Sequence, residues 1–498
     1  MKEEQNEGYG HVLKYTGIFG GVQGLNILIG LVRNKIIAWL LGPAGMGLAS
    51  LFNSVVNFIY QATILGISFS AVRHISELFD QGDEERIAHF VKVVRAWSLL
   101  TALLGMFVCM IAGPFLSSST FAWGNHTLHF ILLAPAIALM AISGGEMAIL
   151  KGARRLKALA VIQIYSVFIA LLISVPIYFF FGETGIVPVI VLMALASLLL
   201  TINYSYRLYP LRLHGAKGIL GEGMEMVRLG VAFVLAGIFG SGAEMLVRSY
   251  LNVVGDLDVV GLYNAVFMLT ITYASTVFSA METDFFPRLS AVAADSVKMS
   301  ETVNRQIEVS LLLVSPMLVF FIVALPILVP LLFREDFSLM VPMAQIAVFS
   351  MYVKAVSLPI SYQVLARGDS LAYLLIEGFY SILMVVLIIL GYRHWGLIGT
   401  GIALDVSYVV DFFITYFYTH FRYGYHISFP VLQIVCIQLP LGVAIYLLTL
   451  IDSPVLYWLL GLLLCFVSLA VSIYILHQKA SLWAALGAKV KSKFNKHA

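Results

Sequence analysis

The sequence predicts an all-α polytopic membrane protein of about 14 transmembrane helices, in two parallel six-helix lobes followed by two further helices. Three observations predict it. The 498 residues are 60% hydrophobic and 11% charged, well below the roughly 25% charge of soluble domains. The apolar residues fall in runs of about 20, which suits a spanning helix and is about twice a barrel strand. Chemically marked residues also recur at one offset along the chain.

In chain order, spans are expected at about 15–41, 47–70, 96–116, 128–150, 159–181 and 184–206. The next six are expected at about 229–254, 259–283, 307–333, 338–365, 371–391 and 396–420, and the last two at about 428–450 and 455–477. This divides the chain into an N-terminal lobe (1–216), a C-terminal lobe (217–425), a final helix pair (426–478) and a basic tail (479–498). The tail carries Lys489, Lys491, Lys493 and Lys496 without an acid, which suits an anionic leaflet. Even parity puts both ends on one side. With the N-terminus inside, all but six of the 30 Lys and Arg residues lie in internal loops or at nearby helix ends, following the positive-inside rule. The six are Arg33, Lys35, Arg248, Arg334, Lys354 and Arg393. Internal loops at about 71–95, 207–228 and 284–306 read as amphipathic surface helices. Asp83-Glu84-Glu85-Arg86 starts one of them, with acids at the positive end of the helix dipole. The polar start Met1–Gly10 lacks a following cleavage site, so the first span reads as retained.

The repeat follows from pairwise matches. Arg33 meets Arg248 and Arg73 meets Arg288 at offset 215, while Gly47-Leu48 meets Gly261-Leu262, Gly182 meets Gly396 and Gly185 meets Gly399 at offset 214. Together they lay spans one to six over spans seven to twelve in the same orientation, with spans thirteen and fourteen appended. Gly17, Gly20, Gly21 and Gly24 give span one a small-residue stripe suited to close helix contact. Cys109, Cys436 and Cys465 lie in apolar runs and read as core residues, not as a disulfide or metal set.

Charges within spans are the candidate functional residues, because each costs roughly 2.5–3.5 kcal/mol to insert. Arg33 and Arg248 lie at matching depth in spans one and seven and suggest a paired anion site, since guanidinium groups bind phosphates bidentately. Glu244, one helical turn before Arg248, offers the alternative that it neutralises that arginine. Lys354, near the middle of its span, reads either as a substrate contact or as half of a salt bridge. Lys35 is two residues from Arg33 and faces elsewhere, so it reads as a snorkelling or inter-helix residue. Glu377, Asp405 and Asp411 read as ion-coupling or salt-bridge carboxylates, and Asp405 and Asp411 point to different helix faces. Glu146, near Lys151, reads as an interfacial acid.

The segment Gly30-Leu31-Val32-Arg33, then Ala38 and Leu41-Gly42-Pro43-Ala44-Gly45-Met46-Gly47-Leu48, resembles the first hairpin of Wzx-type O-antigen and lipid-linked oligosaccharide flippases. Gly66-Ile67-Ser68-Phe69-Ser70-Ala71-Val72-Arg73 continues the likeness. These proteins belong to the multidrug/oligosaccharidyl-lipid/polysaccharide exporter superfamily. The two added helices resemble peptidoglycan-precursor flippases, whereas many Wzx proteins have twelve. The resemblance implies two lobes around a central cavity. It also implies a polyprenyl-diphosphate-linked glycan carried from the cytoplasmic to the outer leaflet of a bacterial inner membrane by alternating access. Arg33 would face the diphosphate by that resemblance, while Arg248, by the repeat, and Lys354, by its depth, are further candidates for binding it. Membrane lipid and other polysaccharide-assembly proteins are the implied partners.

Other classes fit less well. There is no Gly-x-x-x-x-Gly-Lys-Ser/Thr loop for ATP, no His-Glu-x-x-His and no Gly-x-Ser-x-Gly. No cofactor is expected beyond optional H⁺ or Na⁺ coupling, and no nucleic-acid partner. A drug/cation antiporter of the same superfamily would want acids at depth in the first half, which has few. A membrane glycosyltransferase or polymerase would want a sizeable external loop, and none exceeds about a dozen residues.

Overall fold

Helix is the only regular secondary structure among the described residues. In a bilayer every backbone donor and acceptor must bond inside its own segment or a closed sheet. The computed structural model describes the backbone of residues 2–121, 124–211, 219–272, 275, 278, 285–286, 288–451 and 453–480, and most of their side chains from Gly24 onward. The basic tail, Arg212 and Lys217, and the packing of Gly17, Gly20 and Gly21 lie outside the described residues.

The first half holds α1 (Lys2–Thr63), α2 (Ile67–Gln81), α3 (Glu84–Thr120), α4 (Thr127–Gly152), α5 (Leu156–Phe181) and α6 (Ile186–Leu208). The second half holds α7 (Ile219–Val254), α8 (Leu257–Val266), α9 (Ser296–Leu332), α10 (Val341–Ala347), α11 (Phe349–Ala366) and α12 (Ser370–Tyr423). Two helices follow, α13 (Phe429–Leu448) and α14 (Pro454–Ala480).

By length and composition, 8 helices among the described residues can cross a membrane, or 9 with the pair Glu335–Ala347 and Phe349–Ala366, bent by 41°, as one span. That is fewer than the spans drawn from hydropathy, and backbone chemistry explains part of the difference. Three continuous runs join two expected spans through a glycine instead of a loop. These are Gly42 in α1 (φ 65°, ψ −172°), Gly182 between α5 and α6 (φ 55°, ψ −133°) and Gly396 in α12 (φ 59°, ψ −142°). Glycine alone takes such angles without strain, and Pro43 removes a helix donor at the first break. A Cβ at Gly182 or Gly396 would meet nothing within 4 Å, so the backbone angle by itself asks for glycine there. Expected span eight begins as α8 and a π turn, Phe267–Thr272, and much of the rest lies outside the described residues.

The internal loops also differ from the sequence reading in one respect. α2 is a separate amphipathic helix, with Ile67, Ala71, Ile75 and Leu78 buried and Arg73 paired with Glu77 at its exposed face. The second surface helix, however, is continuous with span three. α3 starts at Glu84, where the Asp83 carboxylate accepts the Arg86 amide at 3.0 Å, and runs on through the apolar span. α9 does the same after Asp295, whose carboxylate accepts the amides of Val297 and Lys298 at 3.1 Å. The Lys298 amide above all holds the Asp295 carboxyl below its usual range.

The repeat has a geometric counterpart. Arg154 (φ 53°) and Gly368 (φ 75°), 214 residues apart, are both left-handed at the turns after α4 and α11. Gly182 and Gly396, at the same offset, break their helices with nearly the same angles. Gly47 and Gly261 meet each other reciprocally. A Cβ on Gly47 would lie 2.1 Å from the Leu257 carbonyl oxygen, and one on Gly261 would lie 2.0 Å from that of Pro43. Leu257 and Pro43 are themselves repeat equivalents, so the crossing has local two-fold character.

The chain divides into two compact units. The first takes residues 1–265, 330–339 and 370–393 and contains that crossing; the second takes 266–329, 340–369 and 394–498. In the second, the appended helices are tied by a buried amide. Gln438 donates to Ser472 Oγ at 2.9 Å and accepts from Ser468 Oγ at 2.6 Å. Tyr457 OH donates to the Val323 carbonyl at 2.9 Å, anchoring α14 on α9.

The crossing gives a direct test. Gly47→Ala forces backbone against backbone and is expected to cost about 1–3 kcal/mol. Gly240→Ala, where a Cβ meets nothing within 4 Å, is expected to be neutral or stabilising by up to about 1 kcal/mol. Thermal unfolding of the two variants in detergent checks both, and equal melting points would contradict the close crossing.

Candidate functional site

The cations at membrane depth sit in three different settings. Arg33 in α1 is half-buried. Its Nε donates to Ser174 Oγ of α5 at 3.2 Å and its Nη2 to Met193 Sδ of α6 at 3.5 Å. A hydroxyl and a thioether are thus two of the groups that orient the guanidinium. Lys35, two residues on, is exposed.

Arg248 in α7 is only 6% exposed, and its donors are engaged on several sides. Nε donates to Ser50 Oγ at 2.8 Å, Nη2 to Asn264 Oδ1 at 3.3 Å, and Nη1 to the Glu244 carbonyl at 3.2 Å and carboxylate at 3.1 Å. Ser50 in turn donates to Asn264 at 2.8 Å. Ser50 and Asn264 are repeat equivalents one turn beyond the Gly47–Gly261 crossing, so Arg248 clamps span two, α7 and α8 together. Glu244, whose side chain is 43% exposed, partly neutralises it. Ser50 and Asn264 were not singled out in the sequence, although aligning polar residues at offset 214 would have paired them.

Lys354 in α11 is half-buried, and its Nζ donates to Ser275 Oγ at 2.8 Å. The Phe278 ring centroid lies 5.9 Å from the ammonium, an attractive placement. Among the described residues no carboxylate lies within 4.0 Å of it.

The spanning carboxylates also separate. Glu377, Asp405 and Asp411 all lie on α12 and are half-buried. Gly401 lets α12 approach the Met343 carbonyl of α10, where its Cβ would be 3.0 Å away. Asp405 is one turn further, and its Oδ1 is buried without a hydrogen-bond partner. Glu146 corrects the interfacial reading. It is 2% exposed and forms a fork with Arg95 at 2.7 and 3.2 Å, not with Lys151. Ser205 also donates to it, and the Arg95 guanidinium stacks 4.3 Å from the Tyr206 ring centroid. This staple joins α3, α4 and α6. Among the described residues no group of three or more His, Cys, Asp or Glu could hold a metal ion.

Removing one partner of a buried ion pair strands the other. Glu146→Ala is expected to destabilise by about 3–5 kcal/mol, and Arg95→Met with Glu146→Leu to recover most of that loss. Thermal unfolding measures both, and a single variant as stable as the parent would contradict the staple.

Comparisons with known proteins agree with this architecture. The family described as polysaccharide biosynthesis protein matches residues 26–342. No curated protein matches the sequence. Among solved structures, an inward-facing multidrug resistance MATE family transporter of the MOP superfamily is 15% identical, covering 82% of this chain and 98% of its own, with a TM-score of 0.67. The lipid II flippase MurJ in an inward closed conformation is 14% identical, covering 92% and 98%, with a TM-score of 0.65. A MOP superfamily transporter from Pyrococcus furiosus is 15% identical, covering 82% and 94%, with a TM-score of 0.59. At these identities the likeness establishes the fold.

Proposed function

The chain belongs to the polysaccharide biosynthesis protein family, and from that premise we propose that it flips a polyprenyl-diphosphate-linked oligosaccharide, an O-antigen or related repeat unit, to the outer leaflet of a bacterial inner membrane. The fold is that of MOP superfamily transporters, and the lipid II flippase MurJ shares it. The observation that carries the reading is Lys354, a cation at bilayer depth bonded to a hydroxyl and faced by an aromatic ring. A charge at that depth is costly and is often found on a substrate path. A diphosphate of roughly −2 would complement such a cation, and Arg33, in the first unit, has the planar fork that phosphate oxygens accept. Arg248 has a different part. Its donors hold the crossing of span two and α8, so it positions helices instead of gripping phosphate.

Alternating access moves the head group across while the prenyl chain stays in lipid. The membrane potential suffices as a bias, since each charge crossing is worth about 2.3 kcal/mol per 100 mV. An inside-negative potential drives the anion outward and returns the empty cationic site inward. Asp405 is the carboxylate best suited to take a coupling H⁺ or Na⁺, because its buried oxygen has no partner. Both termini lie in the cytoplasm in this reading, with other polysaccharide-assembly proteins as neighbours.

The test compares Arg33→Ala, Lys354→Ala and Arg248→Ala for surface glycan normalised to protein level. The first two are expected to lose export by about tenfold or more at normal abundance, the scale of one lost charged hydrogen bond. Arg248→Ala is expected to lose abundance, because Ser50, Asn264 and Glu244 lose their common partner. Full export by Arg33→Ala and Lys354→Ala together would overturn the proposal.

A further inference from the structure

Span two carries a strip that none of the charged residues explains. Of the described residues 41–70, only Asn53 and Asn57 are exposed, and both are carboxamides. Gln61, one turn further, is half-buried. Spacings of four put all three on one helix face. Helices that face lipid expose apolar side chains instead, as α5 does with Leu172, Phe179 and Phe180. A carboxamide has two donors and an acceptor to satisfy, and hydrocarbon satisfies none of them. Asn53 spends one donor on the Ala49 carbonyl at 2.8 Å. Asn57 and Gln61 make no hydrogen bond among the described residues. The strip is therefore on water.

α7 runs antiparallel beside it. Arg248 meets Ser50, a Cβ on Gly242 would lie 3.2 Å from Phe58, and one on Gly237 would lie 3.4 Å from Gln61 Oε1. From Ser50 to Gln61 the strip descends about 16 Å from the clamp toward the middle of the span. The repeat equivalents of Asn53 and Asn57 are Phe267 and Ile271, and that of Gln61 is Ser275, so the pair of exposed carboxamides belongs to the first half alone.

We infer that Asn53, Asn57 and Gln61 form a binding strip for neutral sugar hydroxyls. This rests on the flippase reading and extends it from the diphosphate to the glycan. Carboxamides donate and accept at one planar group, which matches a hydroxyl's own donor and acceptor, and they carry no charge to compete with the anion contacts. The adjacent Glu244 carboxylate adds an acceptor at the strip's edge.

Two measurements test it. In a chain with Cys109, Cys436 and Cys465 replaced by Ala, Asn57→Cys is treated in membranes with a membrane-impermeant maleimide. It is expected to label at least about tenfold faster than Leu172→Cys, because a hydrated reagent is excluded from lipid. Next, the purified protein is titrated with undecaprenyl diphosphate and with the same lipid bearing N,N′-diacetylchitobiose, and binding is read by native mass spectrometry. The sugar-bearing lipid is expected to bind more tightly. Asn57→Leu with Gln61→Leu is expected to weaken that lipid by about tenfold and leave the bare lipid unchanged, while Asn57→Gln with Gln61→Asn keeps the preference. An unlabelled Asn57→Cys, or a sugar preference that survives the leucine pair, would overturn the strip. If the parent protein binds neither lipid, the flippase reading fails and takes the sugar assignment with it.

Discussion

The first compact unit depends on one close approach, the crossing where Gly47 lies against the Leu257 carbonyl and Gly261 against that of Pro43. In lipid the hydrophobic effect gives two helices no reason to meet, so contact must come from packing and polar bonds. Glycine on both sides brings the backbones together. Ser50 and Asn264 then fall within hydrogen-bond reach, and Arg248 closes the set from α7. Each layer needs the one beneath it. A side chain at either glycine would separate the hydroxyl from the amide and strip the buried arginine of two acceptors.

The same economy explains why similar charges have different roles. Arg33 and Arg248 are close to repeat equivalents, yet one is oriented by a hydroxyl and a thioether and the other is fastened by an acid, an amide and a hydroxyl. A duplicated scaffold can dedicate one copy of a residue to structure and leave the other for chemistry. The carboxamide strip follows this division in part, since the repeat counterparts of Asn53 and Asn57 are the apolar Phe267 and Ile271.

Much of the architecture is legible in the chain because its causes are local. Apolar length marks the spans, Gly42-Pro43 marks a break, and Asp83 marks a helix start. Glu244 one turn before Arg248 is likewise a contact within one helix. What hydropathy misses is whether a break is a loop or a single left-handed glycine, because both interrupt an apolar run alike. Arg95 and Glu146 are 51 residues apart in sequence, and no periodicity links residues that meet only through packing. The carboxamides are hard to read in the chain for a different reason: asparagine in a span resembles a packing residue until its exposure is known.

The continuity of α3 and α9 has a mechanical side. Each is 37 residues long, or about 55 Å, while the hydrocarbon core is about 30 Å thick. Each helix therefore extends beyond the bilayer from a start capped by Asp83 or Asp295, and the extension is packed, not loose. Ile87, Phe90, Val91 and Val94 of α3 are buried in one core with α2 and α4, and Met299 and Val303 of α9 are buried as well. Any tilt of the spanning part of α3 is therefore handed on to α2 and α4 through that core.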